Sequence, residues 1–139
     1  LFRSEVLRER ALRVEAFAVD HGAWPAFGFR FEAPGRTLVL SGDTAPAQSV
    51  MEQASGCDLL LHEVYSAAGF AQRPPGWQRY HAHMHTSTRE LARLAASARP
   101  GLLVLHHQLF WGASEDELLA EIREEYDGAV VSGRDLDVF

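Results

Sequence analysis

The chain has 139 residues, 47% of them hydrophobic and 23% charged, the length and composition of one globular domain or a piece of one, with enough apolar residues to bury a core. A formal net charge of -6 excludes a broadly basic surface that would attract nucleic acid, though a single basic groove stays open. One cysteine, Cys57, excludes an internal disulfide, suits a reducing compartment and makes the cytoplasm the default, while no apolar run approaches the roughly 18 residues of a membrane span.

In chain order, the opening stretch LFRSEVLRER reads as a helix tail entering a strand, so the chain is expected to start inside a fold. Residues 12–19 (LRVEAFAV) alternate apolar and polar, as a half-buried strand does, and His21-Gly22 closes it before a turn at Trp24-Pro25. Residues 27–33 alternate again, Pro34-Gly35 marks a tight turn, and residues 37–40 form a compact apolar strand, which predicts a hairpin. Pro46, Val50, Met51 and Ala54 predict a helix stopped by Gly56, and residues 58–61 (DLLL) a short buried strand.

Ser87-Thr88-Arg89-Glu90 is a capping-box pattern, opening a helix whose stripe is Leu91, Leu94, Ala95 and Ala98 and which Pro100-Gly101 ends. Residues 102–105 (LLVL) predict another buried strand. A second capping box, Ser114 to Glu117, opens a helix with Leu118, Leu119, Ile122 and Tyr126 inward and Gly128 at its stop. Residues 129–131 predict the last strand. The order is two paired strands followed by strand and helix in alternation, which implies an α/β sheet covered by helices on at least one face.

Three polar groups fall at the C-terminal ends of apolar strands: Asp43 after TLVLSG, His62-Glu63 after DLLL, and His106-His107 after LLVL. That edge is where open α/β sheets bind ligands. An aspartate fixed there can offer oxygen to metal, and Gly42 permits the close turn this needs; capping the following helix is the plainer role of an isolated Asp43. The run His81-Ala82-His83-Met84-His85 is read as a loop ahead of a helix cap, where a ligand set and a cluster of solvated histidines stand equally. Trp24, Phe27, Phe29, Trp77, Phe110 and Trp111 can line a cleft, though core or edge packing is the commoner use of such residues.

S-G-D-T at 41–44, D-L-L-L-H-E at 58–63, H-T-S at 85–87 and L-V-L-H-H at 103–107, with V-D-H and A-F-G-F upstream and G-R-D-L-D-V-F at the end, resemble in order and spacing the C-terminal half of ribonuclease Z-like metallo-β-lactamase-fold proteins, including their arylsulfatase-related members. The resemblance spans nearly the whole chain. It implies half of an αββα sandwich, residues 1–139 being the C-terminal portion of one domain whose other half carries the family's H-x-H-x-D-H ligand motif and a further histidine, neither of which the chain contains.

By this resemblance Asp43 bridges two metal ions, usually zinc, with manganese or iron(II) as alternatives, and His107 ligates one of them. His85 donates the proton to the leaving group; His62 and Glu63 orient the ligands; His106 stands where the family often has Thr or Ser and is a neighbour; His21 lies near the cleft. The implied activity is metal-dependent hydrolysis of a phosphodiester, with a small ester or sulfate as the alternative substrate, and RNA is not favoured by the charge. The fragment alone holds about two of the expected ligands, so activity is expected to need the other half, and the bared sheet face to drive self-association. The competing reading is a non-catalytic half-domain that pairs with a partner or binds one ion weakly through His81, His83 and His85.

Overall fold

Seven strands lie side by side in chain order in one mixed sheet of the computed structural model, which describes residues 2–139. The first four, β1 (Arg3–Glu9), β2 (Leu12–His21), β3 (Trp24–Ala33) and β4 (Arg36–Leu40), pair antiparallel. From β4 onward the pairing is parallel through β5 (Leu59–Tyr65), β6 (Leu102–Leu109) and β7 (Val130–Ser132). Parallel neighbours need crossovers, and helices supply them: α1 (Gln48–Ala54) after β4; α2 (Ala67–Ala71), α3 (Pro75–His81) and α4 (Thr88–Ala98) after β5; α5 (Glu115–Arg123) after β6.

The core lies on one face of this sheet. Phe17, Val39, Leu60, Val64, Leu103, Leu105 and Val130 pack there against Val50 and Ala54 of α1, Leu91, Ala92 and Ala95 of α4, and Leu118 and Ile122 of α5. Both capping boxes form: Ser87 and Ser114 each accept from the backbone of the glutamate three residues on, whose carboxylate reaches back. The opposite face carries two cross-strand rows set by the register, Phe29–Leu40–Leu61–Val104 and Phe31–Leu38–Leu59–Leu102. All but Val104 are only half-buried.

Three local expectations need correction. Residues 3–9 form a strand rather than a helix tail, because their pairing to β2 gives the backbone a ladder that Arg and Glu side chains on an exposed edge do not oppose. The β2–β3 hairpin turns at Gly22-Ala23, not Trp24-Pro25: Gly22 takes φ +71° at the first turn position, and Trp24 and Pro25 already pair with His21 and Asp20. Finally, residues 66–83 hold two short helices, so His81 ends α3 instead of lying in a loop.

Candidate metal centre

Three side chains converge toward the C-terminal edge of the parallel strands: Asp43 from the turn after β4, His85 from the segment between α3 and α4, and His107 from within β6. One ligand atom each of Asp43, His85 and His107 lie within 4.8 Å of one another. His107 Nε2 is 3.5 Å from Asp43 Oδ2, with both side chains partly open to solvent. The ring centres of His85 and His107 are 5.6 Å apart, and those of His85 and His21 5.1 Å.

Local backbone explains each placement. Gly42 has φ +64°, and a Cβ there would stand 2.7 Å from the Phe27 carbonyl oxygen, so the turn that presents Asp43 accepts only glycine. His107 is an extra residue in β6: Glu63 pairs with His106 and Val64 with Gln108, and His107 bulges out with φ +41°. A bulge re-aims one side chain, at a backbone cost of about 1–3 kcal/mol for a non-glycine residue in this region. The His85 backbone N–H continues the turn of α3 by donating to the His81 carbonyl at 3.0 Å.

A buried polar network ties these loops together. Glu63 is fully buried, and its Oε1 accepts from the Thr44 backbone N–H at 2.9 Å and from His85 Nδ1 at 3.0 Å. Thr86 Oγ1 donates to the Thr44 carbonyl at 2.7 Å, and the Glu63 backbone N–H donates to Ser41 Oγ at 3.2 Å. Since a carboxylate oxygen only accepts, Nδ1 of His85 carries the proton and Nε2 is its remaining nitrogen. Burial raises the Glu63 carboxyl above the usual range, and the bond from His85 pulls it back. Its second oxygen, Oε2, is buried with no partner.

The other histidines separate from this cluster. His21 Nδ1 donates to the Met84 carbonyl at 2.7 Å, which places its ring against His85. His62 is fully buried, donates through Nδ1 to the Glu63 carbonyl at 2.6 Å, and is held neutral, its pKa lowered to about 4 by burial. His106 is lowered by burial and then by His107. His81 stacks on Trp77, and His83 is exposed. Glu63 therefore contacts His85 rather than Asp43 or His107. Thr44 and Thr86, quoted in the sequence only as parts of motifs, are the buried ties; their neighbours in S-G-D-T and H-T-S were the available signal.

The chain belongs to the beta-lactamase superfamily, whose domain matches residues 4–108. It is 40% identical over 103 residues to ribonuclease Z of Haloarcula marismortui, covering 73% of this chain and 31% of that protein. It is 34% identical over 114 residues to ribonuclease Z of Mycobacterium bovis, covering 81% and 41%. The chain thus spans about a third to two fifths of the length of these relatives. In fold it matches the metallo-beta-lactamase fold protein YhfI from Bacillus subtilis at TM-score 0.75 and 21% identity, covering 92% of this chain and 49% of that one. The short form of human tRNase Z matches at 0.67 and 22%, covering 97% and 44%.

The donor set suits a borderline divalent cation: one carboxylate oxygen and imidazole nitrogens, on a turn and a bulge, within reach of a common point. Among the described residues this is the sole such grouping of three. No helix is long and apolar enough to cross a membrane.

Proposed function

We propose that the chain is the C-terminal half of a metal-dependent hydrolase that cleaves a phosphodiester or a related ester. The observation that carries this reading is the convergence of Asp43, His107 and His85 at one sheet edge, with Glu63 behind His85. Asp43 and His107 hold metal, zinc being the first choice for such donors. When bound, the ions acidify a water and offset the charge that develops at the attacked centre. The remaining ligands come from the other half of the domain, because one carboxylate and one or two imidazoles are too few to hold two ions against water.

His85 is the proton donor. Glu63 holds the ring through Nδ1–H, so the imidazolium, protonated at both nitrogens, gives its Nε2 proton to the leaving oxygen and ends as the neutral Nδ1–H ring. His21 shields the other side of that ring. A second reading, favoured by the 4.8 Å grouping, makes His85 a third ligand, since a ligating histidine also donates its other N–H to a carboxylate.

Metal content per chain and hydrolysis of bis(p-nitrophenyl) phosphate and p-nitrophenyl sulfate test both readings, in this chain and in the full gene product. Asp43→Ala and His107→Ala are expected to lose metal. His85→Ala keeps metal and loses about 10²–10⁴-fold in turnover if it is the donor, whereas loss of metal makes it a ligand. Glu63→Gln keeps metal and loses about 10–100-fold. A full gene product that binds no metal and ignores all four substitutions is no hydrolase of this kind.

A further inference from the structure

The α2–α3 excursion, which the hydrolase reading does not use, builds a column of flat groups beside the cluster. Trp77 and His81 sit one turn apart on α3 and their rings stack at 3.6 Å and 16°. The Arg73 guanidinium lies over the Trp77 ring at 5.7 Å. Trp111, beyond β6, closes the edge, meeting Trp77 at 4.3 Å and 78° and His81 at 5.3 Å and 80°. The column ends on His81, whose ring centre is 5.9 Å from that of His85.

We propose that this column is a subsite for a planar aromatic group of the substrate, a nucleobase or a simple aryl ring, which packs on the part of the His81, Trp77 and Trp111 rings left open to solvent. The inference rests on the hydrolase reading for the identity of the reacting cluster. Packing on Tyr65 and Phe70 accounts for one side of Trp111, and packing on Phe70 for part of Trp77, but not for the sides of Trp77, Trp111 and His81 that stay open. Trp77, His81 and Trp111 all keep partial exposure. Two nitrogens of the column, Arg73 Nε and His81 Nδ1, are shielded from solvent without a hydrogen-bond partner. Trp111 also takes φ +48°, a left-handed conformation that a bulky residue rarely adopts. Unpaired polar atoms and backbone strain gathered around an aromatic stack mark a surface shaped for something other than its own packing.

A ring stacked there sits next to His85, so the subsite selects substrates whose aromatic group lies close to the scissile ester. Binding reads this without metal or turnover. AMP, phenyl phosphate and ribose 5-phosphate, which carry a phosphate on a nucleoside, an aryl ring and a bare sugar, are titrated into the metal-free full gene product and followed by tryptophan fluorescence. Trp24→Phe removes the background of the 79% exposed indole.

An aromatic ligand is expected to bind about tenfold tighter than ribose 5-phosphate. His81→Ala and Trp77→Ala abolish that preference, and His81→Phe, which keeps a flat ring, retains it. AMP ahead of phenyl phosphate assigns a nucleobase; equal binding assigns a simple aryl group. Equal affinity for ribose 5-phosphate, or an undiminished preference in a His81→Ala protein with unchanged melting, overturns the proposal. Loss of hydrolysis with the ring preference intact removes the hydrolase reading alone, and the converse result removes the subsite alone.

Discussion

His62 shows what one buried titratable residue does to the whole chain. Its pKa is lowered from the ordinary value to about 4 because burial disfavours the imidazolium, and Nε2 has no partner to offset that. Between about pH 6.5 and 4 the unfolded chain binds the proton and the folded chain does not, so stability rises with pH across that window and is flat above it. The full effect, complete below pH 4, is about 3 kcal/mol. Glu63 acts in the opposite sense, since its raised carboxyl takes up a proton in the folded state first as pH falls. Urea titrations at a series of pH values should therefore show stability falling below pH 6.5, and His62→Gln should flatten or reverse that slope whatever its stability at pH 7. An unchanged slope in the variant would place the acid sensitivity elsewhere.

At the scale of the element, the turns and bulges at strand ends decide whether the cluster exists. Gly42→Ala puts a methyl group against the Phe27 carbonyl and forces φ +64° on a residue with a Cβ. A loss of about 1–3 kcal/mol is expected, with metal affinity falling as Asp43 shifts; a Gly42→Ala protein with native melting and metal content would show that the turn adapts. Such features also mark how far the sequence could be read. The β3–β4 hairpin, both capping boxes and the placement of Asp43 just past β4 were legible because period-two alternation, Pro-Gly turns and Ser-x-x-Glu spacing are local signals, whereas β5 and β6 run on to Tyr65 and Leu109, so His62-Glu63 and His106-His107 lie within strands and not at their ends. By contrast, β1 was not legible: its charged side chains say nothing of the β2 ladder that fixes it. Nor were α2 and α3, which are short: α2 is held by a tertiary tie, Glu121 accepting from the Ala67 N–H at 2.7 Å and Ser66 Oγ at 2.8 Å, and α3 by Gln78 Nε2 donating to the Arg73 carbonyl at 2.7 Å. The bulge at His107 follows from its register against β5, which no window of β6 alone contains. So Asp43 and His107 were both named, while the contact that joins Glu63 to His85 waited on the fold.

The whole molecule is asymmetric. Helices cover one face of the sheet, while the other shows the rows through Phe29, Leu40 and Leu61 and through Phe31, Leu38, Leu59 and Leu102 half-exposed. Taking such a side chain from full exposure to full burial gains roughly 1.5–3 kcal/mol, so each half-open one has about half of that still to gain, and several together are a continuous incentive to association. The chain alone should therefore self-associate through this face, and the same rows should be covered by the other half of the domain in the full gene product, where the ligands missing from the Asp43–His107 cluster would be supplied. Sedimentation velocity separates these statements. The isolated chain is expected to grow in mass with concentration, and Phe29→Lys with Leu61→Lys to return it to monomer without moving α1, α4 or α5, none of which packs on that side. The full gene product should show no such dependence through this face, and the lysine pair should weaken its metal binding by loosening the two halves. A monomeric isolated chain at every concentration would mean that the exposed rows are tolerated in water, and the pairing of half with half would then need another surface.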